Sequence, residues 1–289
     1  MLIQVLVSGV AIGCIYALIA LALVLVFKAT DVVNFAQGEM AMVSAFAGLS
    51  LLTAGKLPLL AVLLLAFPIG ALLGALTERI AIRPLLGAPP LNALIVTIGL
   101  WMIFHYGAGW IWGFDAFTFP SLLPQAPIEI AGALVSPSNL AIAGVSVLVL
   151  VGLYVFLEHT RQGTAMRAAS MNPQAARLMG VSVGRVSLLS WAIAGGIGAV
   201  AGVLIAPLTF IDVNMMFLVL LKALAGAVLG GFTSLPGAVL GGVLVGVVES
   251  LTSVYVSSAF DDAIAFVVIV AVLMVRPEGL LGKPSVKKV

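Results

Sequence analysis

The chain has 289 residues, of which 63% are apolar and 8% charged, and its formal net charge is +2. A soluble domain carries about 25% charged residues, so this composition leaves too little polar surface for a water-facing globule, and the mean hydropathy of +1.28 specifies a polytopic membrane protein. So small a net charge implies no nucleic-acid partner, and a single cysteine, Cys14, allows neither a disulfide framework nor a cysteine metal site.

At the start, Met1 to Gln4 carries no basic residue and no A-x-A-like site follows, so the first apolar segment is expected to be retained as a span. Runs of about 18–25 apolar residues cross the hydrocarbon core as helices. They occur at roughly 5–27, 34–53, 58–77, 91–112, 138–157, 187–207, 213–231, 236–256 and 262–275. The expected fold is all-α, with about eight to nine transmembrane helices in one membrane domain over residues 1–289, because no polar segment is long enough to fold separately. Segments 34–53 and 213–256 are the least regular and include candidates for broken or re-entrant helices.

Basic residues set the orientation. Alternating spans place Lys28, Arg79, Arg83, Arg161, Arg167, Arg177, Arg185, Arg276, Lys283, Lys287 and Lys288 on one side, with Lys56 alone on the other. The reading is N-terminus outside and C-terminus cytoplasmic. The longest outside connection, 114–137, contains four prolines and a short hairpin over 128–135 turning at Ala131 and Gly132; it reads equally as a partner contact or a proline-stiffened lid. Phe35 to Gly38, two spans, then Arg83 to Gly87 is echoed by Phe232 to Gly237, two spans, then Arg276 to Gly282, which suggests a parallel internal repeat.

Between the fifth and sixth spans lies a basic island over about 158–185. Within it Asn172 can cap a helix, Pro173 fits the first helical position, and Gly180 supplies a left-handed stop. A helix of two turns is marginal alone, so it needs something to dock against. Ala175 and Ala176 permit close approach, Leu178 and Met179 offer an apolar knob, and Arg167 and Arg177 offer charge. Lying on lipid headgroups is the alternative, but so short a helix buries little apolar surface.

Three ionisable residues fall inside spans, Glu39, Lys222 and Glu249, and each should face protein or water. Lys222 and Glu249 sit at similar depth on consecutive antiparallel spans. Small residues run at four-residue steps from Lys222 (Gly226, Gly230) and toward Glu249 (Ala238, Gly242, Gly246), which lets backbones approach. An ion pair is expected, read as structural ahead of a substrate site. Glu39 follows Asn34, Gln37 and Gly38 near the cytoplasmic entrance of the second span, where it serves either an inner gate or the positive end of a helix dipole. Ala194, Gly198, Gly202 and Ala206 form a packing stripe on the sixth span. His105 and His159 stand outside any catalytic or metal motif.

Gln174-Ala175-Ala176-Arg177-Leu178-Met179-Gly180 resembles the E-A-A-x-x-x-G cytoplasmic motif of ATP-binding-cassette importer permeases, with Gln for Glu and without the I-x-L-P that often ends the longer motif. Taken with Asn34 to Glu39, Arg161-x-Gly163-x-Ala165-x-Arg167-Ala168 and Arg276-Pro277-x-Gly279-Leu280, the chain is similar nearly end to end to the branched-chain amino acid permease family, its smaller subunit type. The resemblance implies that Arg167, Asn172, Pro173, Gln174, Ala175, Ala176, Arg177 and Gly180 couple to a cytoplasmic ATPase. It also implies that Asn34, Gln37, Gly38 and Glu39 form a family hallmark at the gate or pathway. The implied assembly has two ATPase subunits, a second permease subunit and an extracytoplasmic substrate-binding protein, in the inner membrane. No G-x-x-x-x-G-K-[ST] phosphate loop occurs in the chain, so this chain is expected to bind no cofactor, with ATP and Mg used by the partner subunits. The competing class is a secondary transporter or channel in which Lys222, Glu249 and Glu39 couple ions.

Overall fold

The computed structural model describes residues 2–85, 87–121, 123, 126–130, 133–276 and 278–282. The chain begins with α1 (Leu2–Thr30), whose residues 13 through 26 are buried without a break. A helix apolar on every side is one enclosed by others, and α1 is the axis of the bundle. Next come α2 (Gln37–Thr53), α3 (Leu59–Thr77) and α4 (Pro90–Trp112). Helix α3 does not stop at Thr77 but winds on as a π-helical turn, Glu78–Ile82, and a 3-10 turn, Arg83–Leu85.

Two short antiparallel strands follow, β1 (Ile128–Ile130) and β2 (Ala133–Val135), in the register Ile128 to Val135. The expected turn residues Ala131 and Gly132 lie outside the described residues. Then come α5 (Pro137–His159), α6 (Arg161–Met171), α7 (Pro173–Leu178), α8 (Val183–Ile205), α9 (Phe217–Gly230), α10 (Leu235–Tyr255) and α11 (Asp261–Val275). Proline in the first turn opens α4, α5, α7 and α10, where its missing N–H costs no hydrogen bond.

The nine apolar segments appear as nine helices, but among the described residues six are long and apolar enough to cross a membrane: α1, α3 with its extension, α4, α5, α8 and α10. The others are shorter, with 17 residues in α2, 14 in α9 and 15 in α11. At about 1.5 Å per residue each falls short of the roughly 30 Å hydrocarbon core.

Helix contacts exchange two triplets: α1 packs on α10, α2 on α9 and α3 on α8, while α2 on α8 is matched by α1 on α9. This relates α1–α3 to α8–α10, a grouping different from the parallel repeat expected from Phe35 and Phe232. Glycines make the contacts close. A methyl group at Gly70 would collide with the Gly195 carbonyl, one at Gly74 with the Trp191 carbonyl, and one at Gly246 with Gly13. Where no hydrophobic effect drives helix association, such backbone proximity and the packing it permits hold the bundle.

Long-range hydrogen bonds sort the helix ends into two faces. On one, Lys28 Nζ donates to the Thr233 carbonyl at 3.1 Å and the Arg83 guanidinium to the Gly184 carbonyl at 3.0 Å. On that face too, the backbone N–H groups of Leu280 and Leu281 donate to the carbonyls of Leu229 and Gly230. On the other, Asn139 Nδ2 donates to Ser8 Oγ, Trp112 Nε1 to Ser50 Oγ, and Phe117 bridges Ile211. The first face carries the described basic residues of the charge count apart from Lys56. Lys283, Lys287, Lys288 and Pro277 lie outside the described residues.

Candidate functional site: a capped basic loop and the buried acidic groups of the bundle

The basic island folds as two helices joined at Asn172. This residue ends α6 and caps α7, its Oδ1 accepting from the backbone N–H of Gln174 at 3.1 Å and of Ala175 at 3.0 Å. At the other end the Val181 N–H donates to the Ala176 carbonyl and the Gly180 N–H to the Arg177 carbonyl, with Gly180 at φ +83°. This is a Schellman stop, and glycine takes the left-handed position without a Cβ penalty. Helix α7 therefore ends at Leu178, one residue before the expected Met179.

The faces of α7 depart from expectation. Ala176 is buried against the chain's own core, so it does not offer close approach to a partner. With its position fixed by capping, α7 turns Ala176 inward onto α8 and leaves Met171, Leu178 and Met179 at 87%, 89% and 84% exposure. Gln174, Ala175, Arg177 and Gly180 are exposed alongside them. Arg167 is tied to Glu158 at the end of α5, which fixes α6 to that helix. Asn172→Ala should cost about 1 kcal/mol, and Gly180→Val about 1–2 kcal/mol at a left-handed position. Both effects should appear as faster amide exchange confined to 172–181, with the melting temperature of the whole chain unchanged.

Loop and bundle meet at a second tie. Glu78 is 0% exposed, its Oε2 lies 3.1 Å from the Arg83 guanidinium, and the same guanidinium group grips the carbonyl of Gly184 at the start of α8. Arg83 thus joins the π-helical end of α3 to the point where the chain leaves the basic loop. The span count missed Glu78 because it sits one residue beyond the apolar run; the signal was the helical phase, which carries α3's buried stripe Gly70, Gly74, Thr77 into it.

Asn34, Gln37, Gly38 and Glu39 do not lie at the mouth of a span, where the sequence put them, but deep in the bundle. Gln37 Nε2 donates at 2.9 Å to the carbonyl of Ala194, the middle residue of the 23-residue α8. Asn34 Nδ2 donates to Gln37 Oε1 at 3.0 Å, and Asn34 Oδ1 accepts from the Ala36 N–H. After α1 the chain folds back as non-helical backbone over 31–36, and α2 begins only once it is inside the bundle. Irregular backbone at this depth is tolerated where protein encloses it, and counting apolar residues cannot see the reversal. A methyl at Gly38 would press on Leu220 of α9, at 3.2 Å from its Cβ.

Glu39 itself is buried, with Oε2 3.5 Å from His105 Nδ1 on α4, and Trp101 stacks on the His105 ring at 5.2 Å between centroids. His105, which stood alone in the sequence, is therefore brought to the acid. The stripe on α8 packs as expected against α2: a methyl at Gly198 would meet Gln37 Nε2, and one at Gly202 the Ala41 carbonyl, each at 2.5 Å.

Lys222 and Glu249 are also brought together, with Nζ donating to Oε1 at 2.8 Å and Nζ 6.0 Å from the centre of the Tyr16 ring. The pair sits where α1, α9 and α10 meet, nearly closed off from solvent. The small-residue face expected on α10 is turned to a different neighbour: Gly242 and Gly246 point at Ala17 and Gly13 of α1, while Gly237 and Gly241 meet Gly230 and Gly226 of α9. Among the described residues no group of His, Cys, Asp or Glu could hold a metal ion.

Comparison with known proteins finds similarity along nearly the whole chain. The family model described as branched-chain amino acid transport system, permease component, matches residues 5–273. The high-affinity branched-chain amino acid transport system permease protein LivH of Escherichia coli K12 is 32% identical over 295 residues, covering 98% of this chain and 96% of LivH. The corresponding BraD of Pseudomonas aeruginosa is 33% identical over 299 residues, covering 99% and 97%. A probable LivH of Methanocaldococcus jannaschii is 31% identical over 282 residues, covering 92% and 88%. No solved structure matches. The chain belongs to the family of permease components of branched-chain amino acid transport systems.

Proposed function

We propose that this chain is the membrane-spanning permease subunit of an ATP-driven importer that carries branched-chain or related amino acids across the inner membrane. The carrying observation is identity of about one third over nearly the full length of proteins named for that transport. The partners are two cytoplasmic ATPase subunits, which use ATP and Mg, a second permease subunit, and an extracytoplasmic substrate-binding protein. Basic residues favour the cytoplasmic side of a membrane, so the face holding Lys28, Arg83 and the 158–185 loop is cytoplasmic, with the N-terminus outside.

In this reading the exposed Met171, Leu178 and Met179 dock in a groove of an ATPase, with Arg177 and Gln174 at the rim. An apolar knob on a polar loop is what marks such an interface. ATPase closure pushes on α7; the Arg167–Glu158 and Arg83–Gly184 ties carry the displacement to α5 and α3. The buried Lys222–Glu249 pair holds α9 to α10 as a structural unit, and residues 34–39 form part of the gate or pathway at mid-depth.

Reconstitution in proteoliposomes with the ATPases, the second permease and the binding protein tests this. Uptake of radiolabelled leucine should require ATP on the ATPase side and should stop when the ATPases are left out. Uptake that persists without them and follows an ion gradient would overturn the reading.

A further inference from the structure

Helix α2 begins inside the bundle, and its first residue reaches across to α8. Asn34 and Gln37 are buried and largely satisfy each other. Asn34 Nδ2 donates to Gln37 Oε1 and lies 3.7 Å from Met40 Sδ, while Asn34 Oδ1 accepts from the Ala36 N–H. The remaining bond leaves this local set: Gln37 Nε2 donates to the carbonyl of Ala194. That carbonyl already serves the backbone ladder of α8, and its second lone pair takes the amide. Among the described residues this is the one side-chain hydrogen bond between α2 and α8. Gly198, one turn beyond Ala194, lets the amide arrive. A methyl there would stand 2.5 Å from Gln37 Nε2, whereas Gly202 clears the backbone of Ala41.

We propose that Gln37 is the latch of the closed pathway, positioning α2 on α8 until a shift of α8 carries the Ala194 carbonyl out of reach. Each helix has a firm partner of its own. Helix α2 is tied to α4 through Glu39 with His105 and Ser50 with Trp112, and Thr97 of α4 donates to the Val33 carbonyl before α2. Helix α8 is fitted to α3, where Gly70 and Gly74 meet the carbonyls of Gly195 and Trp191. The single bond from Gln37 therefore crosses a seam between helices that are each anchored elsewhere.

The source of the movement rests on the importer reading. Helix α8 leaves the basic loop at Val183, is gripped by Arg83 at the Gly184 carbonyl, and carries Ala194 about three turns further on. Hydrogen bonds weaken steeply when stretched or bent, so a helix shift of about 1–2 Å releases the amide. Asn34 and Gln37 stay bonded to each other after release, so the latch can close again. Losing one neutral bond shifts a two-state equilibrium by roughly two- to tenfold. That favours closure without trapping it.

Thiol labelling of the α2/α8 seam tests the latch, in proteoliposomes holding the complete importer. Ser44 is buried on the helical row of Gln37, Ala41 and Gly48, so Ser44→Cys in a Cys14→Ala background reports on the seam. The probe is methanethiosulfonate ethylammonium. At rest this parent should label slowly. Gln37→Met keeps the bulk without the donor and should label roughly two- to tenfold faster. Gly198→Ala keeps the donor and blocks its reach, so it should label as fast as Gln37→Met. Both changes together should do no more than either alone, because they remove the same bond. Added ATP should speed the parent and add little to the variants. Resting labelling of Gln37→Met as slow as the parent, or additive acceleration in the double variant, would overturn the latch. So would a parent rate indifferent to ATP in vesicles that take up leucine on ATP. Absence of ATP-driven uptake would overturn the importer reading instead, and the resting rates would still decide whether Gln37 closes the seam.

Discussion

Replacing Lys222 with Met should strip most of the folded chain from the membrane. The substitution leaves the Glu249 carboxylate among α1, α9 and α10 without the ammonium that now lies 2.8 Å from it. Breaking a buried pair by removing one partner costs about 3–5 kcal/mol, which is a factor between roughly 10² and 10⁴ in the folding equilibrium. Removing both charges is different, because no buried charge remains to be solvated. Lys222→Met combined with Glu249→Met should therefore recover much of the loss, as should the exchange Lys222→Glu with Glu249→Lys. Folded protein in detergent extracts, measured by fluorescence-detected size exclusion, separates these cases. A single Lys222→Met variant as abundant as the double variant would show that the pair carries no such energy.

The second large effect is expected at Arg83. Arg83→Met orphans the fully buried carboxylate of Glu78, with a cost of the same order, about 3–5 kcal/mol, and a matching fall in folded yield. Arg83→Lys is the more informative change. It keeps a positive charge beside Glu78 and so keeps the fold. A single ammonium lacks the planar fork that lets one guanidinium hold both Glu78 and the Gly184 carbonyl. The start of α8 is then released from α3 directly after the basic loop. Leucine uptake should fall severalfold while the ATPases remain bound and continue to hydrolyse ATP. Loss of ATPase association in this variant would mean that Arg83 supports the docking surface itself and not the transfer of motion.

Much of the architecture was legible because the signals involved are local. Apolar runs marked the spans, and Asn172, Pro173 and Gly180 marked α7 to within one residue, since caps act over four or five residues of chain. Pairing of Lys222 with Glu249 could be reasoned because the two lie on consecutive helices at comparable depth. What escaped the sequence was three-dimensional phase. The fold-back over 31–36 placed Asn34 and Gln37 at the middle of α8 and not at its mouth, and nothing in composition distinguishes an extended apolar segment from the first turn of a span. His105 meets Glu39 across helices that are not consecutive in the chain. Gly242 and Gly246 point at α1, whereas Gly237 and Gly241, each one residue away from that stripe, point at α9; adjacent residues on a helix are turned by about 100°, so two neighbouring rows of small residues serve two different helices. Ala176 reads in the sequence as a site of close approach, and smallness suits approach to a partner and to the chain's own core alike; the structure shows the second.

The central claim is that α7 is the surface on which an ATPase acts, and site-directed cross-linking addresses it most directly. In a Cys14→Ala background, Leu178→Cys and Leu148→Cys can each be exposed to a short thiol-to-amine reagent in membranes holding the assembled importer. The account predicts a cross-link from Leu178→Cys to an ATPase subunit, varying in yield with added ATP, and none from Leu148→Cys on the lipid-facing side of α5. A transport-competent complex in which Leu178→Cys gives no ATPase adduct would contradict it.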